Sequence, residues 1–317
     1  MRIRTIDCHY AGQEQVAAAY LLIDGDEAAF IETNTSFAVP RLLDALAEEG
    51  LTPAQVRWVV ITHIHLDHAG GAGQLMAACP EATLLAHPKA APHAVDPTRI
   101  VAGATAVYGA ESFAELYGEI LPIPAERVQA LDDGAEVPFG RGTLRFLHTR
   151  GHANHHFVVV VGDAVFTGDA FGIAYPALQT NGVFAFPSTS PTDFDPAAAH
   201  AAVDQIVSEG ERAFPTHYGE QTELETIAAQ LHAMLDAHTA VLDEADRQGL
   251  EGEELDAFCQ ERIRADFDAH VARHGLTGHP RLDLLELDID LNAQGVAFAL
   301  QKRRFKRRKA GTKPSEG

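Results

Sequence analysis

The stretch "THIHLDHAGG", residues 62–71, sets the first expectation for this chain. Before it, "VRWVVIT" (residues 56–62) is rich in β-branched and aromatic residues, which is typical of a buried strand in a parallel sheet. After it, "AGGAGQLMAAC" (residues 69–79) is typical of a helix entered through glycines. The polar cluster therefore lies at the carboxyl end of a strand, where open α/β sheets bind their ligands. Its candidate metal ligands are His63, His65, Asp67 and His68.

The spacing of these side chains favours a metal site. Residues two apart project to one side of an extended segment, so His63, His65 and Asp67 can converge. His68 follows one step beyond. Neutral imidazole and carboxylate are the ligands of hydrolytic zinc or iron sites. The alternative, a solvated surface loop, fits poorly with this crowding at a strand end.

Composition limits the class of protein. With 317 residues and 46% hydrophobic residues, the chain can form one large domain, or one domain and an appendage. It has no apolar run of about eighteen residues and no secretory h-region in "MRIRTIDCHY". The three separated cysteines, Cys8, Cys79 and Cys259, fit no disulfide framework, so a cytoplasmic location is expected. The net charge of −21 makes nucleic acid an unfavoured partner. We expect the chain to bind a small-molecule substrate and not a membrane. Whether it forms a homo-oligomer is left open.

Three later stretches repeat the pattern of polar residues directly after an apolar strand. His152, Asp169 and His217 are the candidate ligands among them. Taken singly, each signal is weak, because a strand-end Asp is usually a cap or a turn residue. Their recurrence in one chain gives them weight. The stretches are "TRGHANHH" (residues 149–156), "FTGDA" (166–170) and "PTHYG" (215–219).

With these four stretches in this order, residues 15–220 resemble a metallo-β-lactamase-fold hydrolase. The resemblance implies an α/β fold, a four-layer αββα sandwich, with metals at one edge of its two sheets. It also implies a C-terminal helical extension like that of the glyoxalase II branch, which helps to form the substrate site. The chain has no recognisable glutathione-binding signature, so thioester specificity does not carry over.

The resemblance implies two divalent metal ions. Asp169 matches the carboxylate that bridges both. Zinc is favoured by a nitrogen and oxygen ligand set, and iron and manganese also tolerate it. The first metal is assigned His63, His65 and His152, and the second is assigned Asp67, His68 and His217.

The chain divides into three predicted parts. Residues 1–222 form the catalytic domain, and residues 223–301, with apolar side chains at helical spacing, form a helical extension near the active site. Residues 302–317 form a tail that contains "KRRFKRRK". This tail is either a solvated, frayed terminus or an electrostatic contact with anionic partners or with the protein's own acidic body.

The predicted activity is hydrolysis of a small ester, thioester or lactone by metal-held hydroxide. Asp67, Asp169 and Tyr218 are the predicted catalytic residues, with Asp169 positioning the two ions. Tyr218 either donates to the oxyanion or is a packed ring at a strand end. The alternatives are a phosphodiesterase or nuclease, a mononuclear-iron oxidoreductase of the persulfide dioxygenase type, and a non-catalytic metal-binding scaffold.

The stretches around the ligands supply further candidates. Glu32 either accepts a hydrogen bond from the histidine loop or is a plain turn acid. Arg150 either meets an anionic substrate group or points outward. We expect an aromatic segment after Asp169 to line the pocket and His87 and His93 to be plain loop residues. The expected lining residues are Tyr175, Phe184 and Phe186, while His148, His155 and His156 lie beside a ligand without an assigned role.

Overall fold

The computed structural model describes residues 1–311, except the side chains of residues 107, 108, 310 and 311. Two β-sheets pack face to face, and helices cover both outer faces. This is the predicted four-layer αββα sandwich. The strands are β1 (Arg2–Asp7), β2 (Ala18–Asp24), β3 (Glu27–Ile31), β4 (Val56–Val60), β5 (Thr83–Ala86), β6 (Val128–Ala130), β7 (Glu136–Phe139), β8 (Gly142–His148), β9 (Phe157–Val161), β10 (Ala164–Gly168) and β11 (Arg212–Pro215). The helices are α1 (Val39–Glu48), α2 (Leu66–Ala69), α3 (Ala72–Ala78), α4 (Ala91–Val95), α5 (Thr98–Tyr108), α6 (Ala110–Tyr117), α7 (Pro196–Glu209), α8 (Leu224–Gln248), α9 (Gly252–Arg273) and α10 (Leu285–Gly311).

The first sheet has the order β1-β2-β3-β4-β5-β6. Strands β1 to β3 pair antiparallel, and β3 to β6 pair parallel. Its central strand β4 is buried at every position except Arg57, as expected for a parallel strand covered on both faces. The parallel strands all end at one edge, which is where the first ligand stretch follows β4.

The second sheet has the order β11-β10-β9-β8-β7. Strands β10 and β11 pair parallel, and the other neighbours pair antiparallel. Strand β7, "EVPF", is short and contains a proline, which is unusual inside a strand. It lies at the sheet edge, where a proline does not interrupt the hydrogen bonds of two neighbours.

Aromatic rings fill the space between the sheets. The Tyr20 ring packs edge-on against Phe166 and Phe214, with centroids 5.2 and 5.4 Å apart. Its hydroxyl donates a 2.5 Å hydrogen bond to the carbonyl of Pro215 at the end of β11. The core thus ties β2 of one sheet to the end of β11 in the other, directly before the candidate ligand His217.

The C-terminal helices share one hydrophobic core with α7 and the second sheet. Phe184 and Phe186 belong to this core, with exposed fractions of 1% and 0%. Phe186 packs edge-on against Phe267 of α9 at 5.2 Å, and Phe184 lies 4.7 Å from the His270 ring. The expectation that these two phenylalanines line the pocket is therefore wrong. Their apolar surface is covered by the extension, which the local sequence does not reveal.

The basic segment differs from the predicted frayed tail. Helix α10 continues through the predicted boundary at residues 301 and 302, as far as Gly311. Arg304 Nε lies 2.9 Å from Asp246 Oδ1 of α8, and Lys302 Nζ lies 3.6 Å from Asp193 Oδ1. The alternative of a contact with the protein's own acidic residues is confirmed for this part. Residues 312–317 of the predicted tail lie outside the described residues.

Among residues 1–311, no helix combines the length and the apolar character needed to cross a bilayer.

Candidate metal centre

Four chain segments meet at one edge of the sandwich. They follow β4, β8, β10 and β11, and they carry the seven predicted metal ligands. The two sheets are linked there by a 3.0 Å hydrogen bond from the backbone N–H of Phe157 to the carbonyl of Thr62. This link fixes the ligand stretch after β4 against the start of β9, so ligands from both sheets face one space.

The first group of ligands contains His63, His65 and His152. His65 Nδ1 lies 2.9 Å from His63 Nε2 and 3.1 Å from His152 Nε2. Three ring nitrogens from segments far apart in sequence therefore point at one position. Three protein ligands leave room for a further ligand on a four-coordinate ion, which is the arrangement of catalytic zinc sites.

The second group contains Asp67, His68 and His217. Asp67 Oδ2 lies 3.6 Å from His68 Nε2 and 3.4 Å from His217 Nε2. Asp169 lies between the two groups. Its Oδ1 is 3.2 Å from His68 Nε2, and its Oδ2 is 3.4 Å from His152 Nε2. One carboxylate thus faces both groups, one oxygen to each.

Four of the histidines have their other ring nitrogen on an acceptor outside the cluster. Such outer contacts fix the tautomer and orient a metal-binding imidazole. They lead from His63 Nδ1 to Thr62 Oγ1 at 3.1 Å, His68 Nδ1 to Glu32 Oε1 at 3.2 Å, His152 Nδ1 to the Ser188 carbonyl at 3.0 Å, and His217 Nδ1 to the Val16 carbonyl at 2.8 Å.

The residues fit a pair of divalent cations. His68 Nε2 and Asp169 Oδ1 are buried, and although they lie 3.2 Å apart, neither forms a hydrogen bond to the other or to any other described residue. Buried polar atoms are rarely left in that state, and those that are require an explanation such as a bound ion. Imidazoles and carboxylates are ligands for zinc, iron and manganese. The seven residues would hold the ions as two groups of three, with Asp169 shared.

Electrostatics divide the cluster into two parts. Burial, together with neighbouring imidazoles, holds the pKa of His63 and His65 well below its usual range, so both rings are neutral and able to bind a metal. Burial opposes the charge of His217, but a hydrogen bond to Asp67 and the charges of Asp169 and Asp67 raise its pKa to about 9. Desolvation opposes the charge of the half-buried Asp67 carboxyl, yet His68 and His217 hold its pKa well below its usual range. The second group therefore carries a charged carboxylate, and the first group carries none.

Glu32 lies behind the cluster, as the sequence suggested in one of its two interpretations. The Thr62 hydroxyl donates to Glu32 Oε1, which also lies 3.2 Å from His68 Nδ1. The next two residues hold the ligand stretch by its backbone. The Thr33 hydroxyl donates to the His68 carbonyl, and Asn34 Nδ2 donates to the Asp67 carbonyl, both at 2.8 Å. Glu32 is therefore an orienting acceptor rather than a plain turn acid.

Other histidines surround the ligands without joining the two groups. His156 Nε2 accepts a 3.3 Å hydrogen bond from the backbone N–H of Asp169, while its Nδ1 lies 2.8 Å from the Thr149 hydroxyl. It therefore holds the backbone of Asp169, whose carboxylate faces both groups. The His155 ring lies 5.5 Å from that of His65, at the mouth of the first group. His87, expected to be a plain loop residue, is buried, and its ring stacks against His148 at 4.2 Å.

Tyr218 lies away from the ligand groups. Its half-buried ring packs against the core between the sheets. Burial raises its pKa to about 12, and the ionisable groups that act on it are Asp7 and Cys8. The interpretation as a packed ring fits this position, and the interpretation as an oxyanion donor finds no support in it. The Arg150 side chain is exposed, although it borders a small cavity beside His152 and Asp169.

Sequence reasoning missed a carboxylate from the C-terminal extension. Asp288 of α10 is buried, and its Oδ2 accepts a 3.0 Å hydrogen bond from the Tyr175 hydroxyl. Burial, with the nearby charges of Asp169 and Asp67, raises the Asp288 pKa to about 7, although His217 and the Tyr175 hydrogen bond oppose this. One signal was available: Asp288 falls on the same helical face as Leu285 and Asn292, at spacings of three and four. An acid on such a buried face requires a partner.

Comparisons with known proteins give matches to one family. Residues 13–217 match the family model described as the metallo-beta-lactamase superfamily. Over 137 residues, the chain is 28% identical to the metallo-beta-lactamase fold-containing protein ST1585 of Sulfurisphaera tokodaii, in a match that covers 42% of this chain. That match spans only 49% of the relative's length.

Two solved structures share the fold over nearly the whole chain. A metallo-beta-lactamase family protein of Thermus thermophilus, 18% identical, has a TM-score of 0.64, with 96% of this chain and 93% of that chain covered. A beta-lactamase domain protein of Burkholderia ambifaria, 19% identical, has a TM-score of 0.60, with 96% of this chain and 86% of that chain covered. Coverage of this extent includes most of the C-terminal helices as well as the sandwich.

Proposed function

This chain belongs to the metallo-beta-lactamase superfamily, and on that basis we propose that it is a dinuclear metal-dependent hydrolase of small ester-type substrates. The observation that carries the proposal is the position of Asp169, whose two oxygens face two separate groups of three ligands. A carboxylate so placed can hold two ions side by side. A mononuclear-iron oxidoreductase is less well supported, because the second group, Asp67, His68 and His217, is complete.

Two divalent ions in this cluster would lower the pKa of a water molecule and stabilise the oxyanion that develops on an attacked carbonyl. The chain's own residues hold and orient this machinery. His63 and His65 offer neutral nitrogens, which burial favours, and His152 completes this group of ligands. Glu32 and Thr62 keep the first stretch in place. His156 holds the backbone of Asp169, so the shared carboxylate keeps its orientation between the groups.

The C-terminal extension gives the site a buried carboxyl group and an apolar wall. Asp288 of α10 accepts a hydrogen bond from Tyr175, and burial and the charges of Asp169 and Asp67 raise its pKa. Leu231 and Leu235 of α8 line a small cavity together with His152 and Asp169. An apolar wall beside the candidate ligands favours an uncharged ester, thioester or lactone over a polyanion as the substrate.

Polynucleotides are less well supported as substrates. The chain has a net charge of −21, and phosphate contacts by lysine and arginine supply most of the affinity for nucleic acid. The basic residues of α10 do not compensate, since Lys302, Arg304 and others form ion pairs with the chain's own aspartates. We therefore place the phosphodiesterase or nuclease activity second.

The test is metal analysis of the purified protein together with a panel of substrates. We expect two ions per chain, with zinc supporting activity, and faster turnover of lactones or thioesters than of phosphodiesters. Cytoplasmic extracts of the source cell should contain the activity. One ion per loaded chain would refute the dinuclear site. Faster cleavage of a polynucleotide than of any lactone or thioester would refute the substrate class.

A further inference from the structure

A second group of histidines lies on the outer helices, apart from the seven ligands. His200 and Asp204 are four residues apart on α7, and His232 and Asp236 are four residues apart on α8. Such a spacing places both members of a pair on one face of a helix. The two helices pack against each other through the same hydrophobic core, so the two faces meet.

The contacts of the four side chains cross between the helices. His232 Nε2 of α8 lies 3.0 Å from Asp204 Oδ1 of α7. His200 Nε2 of α7 lies 3.4 Å from Asp236 Oδ1 of α8. Each imidazole therefore has one nitrogen on a carboxylate of the other helix. An ionised carboxylate only accepts hydrogen bonds, so the tautomer that suits both contacts has its proton on Nε2 in each ring.

The other two nitrogens face each other. His200 Nδ1 and His232 Nδ1 are 2.6 Å apart, and the rings are nearly parallel, at 4°, with centroids 4.9 Å apart. Because the nitrogens are far closer than the centroids, the rings meet edge to edge rather than face to face. When each Nε2 carries the proton, both Nδ1 atoms present lone pairs to the same point. Two lone pairs at this distance repel unless a proton or a metal ion lies between them.

We infer that His200 and His232 form an auxiliary site for a divalent transition-metal ion of the zinc class. Imidazole suits zinc, copper and nickel, and a metal-binding histidine usually donates its other N–H to a carboxylate, as here. At zinc–nitrogen distances of about 2.0–2.1 Å the two rings would separate by less than one ångström. His200 and His232 are 26% and 29% exposed, so water can complete the coordination and the rings can move.

The expected consequence is that a bound ion holds the body and the extension together. A single ion would join α7 to α8, the helix that also supplies Leu231 and Leu235 to the cavity beside the metal centre. An ion that binds only the folded chain stabilises it in proportion to the logarithm of its concentration above the dissociation constant. Zinc should therefore raise the melting temperature beyond the effect of filling the seven-ligand centre. This inference does not depend on the proposed hydrolysis.

The experiment uses full-length protein whose seven-ligand centre has been loaded and freed from excess ion. Zn²⁺ is then titrated at pH 7.5, and bound metal and melting temperature are measured. We expect one more ion per chain in the native protein, and none in the double variant His200→Gln/His232→Gln. The matched control His279→Gln, a half-buried histidine outside both groups, should keep the extra ion.

A second variant tests the outer carboxylates and guards against a folding defect. Asp204→Asn/Asp236→Asn should weaken the extra zinc by about 10–100-fold, since outer partners orient the ligands. Circular dichroism spectra like those of the native chain show that both double variants fold. If the native chain takes up no extra ion, or if the histidine variant binds it equally well, the site does not exist. The pair would then merely share a proton.

Discussion

Asp288 of α10 accepts a 3.0 Å hydrogen bond from the hydroxyl of Tyr175, which follows the shared ligand Asp169 by six residues. Both side chains are buried. The contact joins the C-terminal extension to the segment that leaves the metal centre. The candidate metal centre and the position of α10 are therefore connected through two side chains, although the body alone supplies all seven predicted ligands.

Removing the donor should leave the buried carboxylate without its partner. We expect Tyr175→Phe to lower the free energy of unfolding by about 1–3 kcal/mol, the usual effect of leaving a buried polar group unsatisfied. The metal content should stay the same, because neither residue is in a ligand group. Urea denaturation and metal analysis measure the two effects. Asp256→Asn, a change of an exposed aspartate on α9, is the control and should change neither.

Asp169 is the residue on which the dinuclear assignment depends. Asp169→Asn keeps the size of the side chain but removes the charge that faces both groups. We expect the metal content to fall from two ions to one or fewer, and turnover to fall by orders of magnitude. Asp132→Asn, an exposed aspartate, should leave both unchanged. A variant that still binds two ions with native affinity would show that Asp169 does not bridge them.

Glu32 should act on metal affinity without touching the ions. Its Oε1 receives the Thr62 hydroxyl and lies 3.2 Å from His68 Nδ1. Glu32→Gln removes the charge and turns one end of the group into a donor. We expect zinc affinity to fall by about 10–100-fold, as for other outer partners of metal ligands. Competition with a chelator measures this. Glu27→Gln, a change of an exposed residue, is the control. Equal zinc affinities of the Glu32→Gln and Glu27→Gln variants would exclude the orienting role.

The candidate ligands could be located from sequence because they directly follow apolar strands. His63 comes after β4, Asp169 after β10 and His217 after β11. Parallel pairing brings the ends of β10 and β11 together, whereas the end of β4 meets them only because the two sheets pack face to face. The sequence allows two interpretations of Glu32. Its position after β3 is local information, but its contacts with Thr62 and His68 depend on folding.

Features made by packing between distant segments were not predictable. Nothing in the sequence near Phe184 and Phe186 shows that α9 covers them, and this is why the prediction that they line the pocket is wrong. Asp288 reaches the metal edge only because α10 docks there. The charge of the basic segment allows a contact with the chain's own acidic residues, but it does not identify the partners, which lie on α8 and in the segment before α7.

The basic end of α10 should stabilise the protein through Arg304. This side chain is largely buried, lies 2.9 Å from Asp246 Oδ1 and donates a 2.6 Å hydrogen bond to the Leu250 carbonyl, just beyond the end of α8. Deleting residues 302–317 should therefore lower the melting temperature, whereas deleting a frayed tail would leave it unchanged. Arg304→Ala should reproduce much of the loss, about 1–3 kcal/mol. Lys306→Ala, an exposed residue on the same helix, is the control. An unchanged melting temperature after the deletion would contradict this.

His238 should make the extension sensitive to acid. It is fully buried in α8, and both ring nitrogens lack a hydrogen-bond partner among the described residues. Burial alone lowers its pKa from 6.5 to about 3. The folded chain therefore keeps this ring neutral, while the unfolded chain protonates it below pH 6.5. Its contribution to stability is fully present above pH 6.5 and is lost as the pH falls toward 3.

The variant His238→Leu removes this titration and two unsatisfied buried nitrogens. We expect its free energy of unfolding at pH 7.5 to equal or exceed that of the native chain. Between pH 6.5 and 4 the native chain should lose stability more steeply, by up to about 1.4 kcal/mol per pH unit. Urea denaturation of metal-loaded protein at several pH values measures the difference, with His279→Gln as the control. Because other histidines titrate in both proteins, only the difference between their slopes reports on His238. Parallel slopes would mean that the ring is protonated in the folded chain or reaches water there.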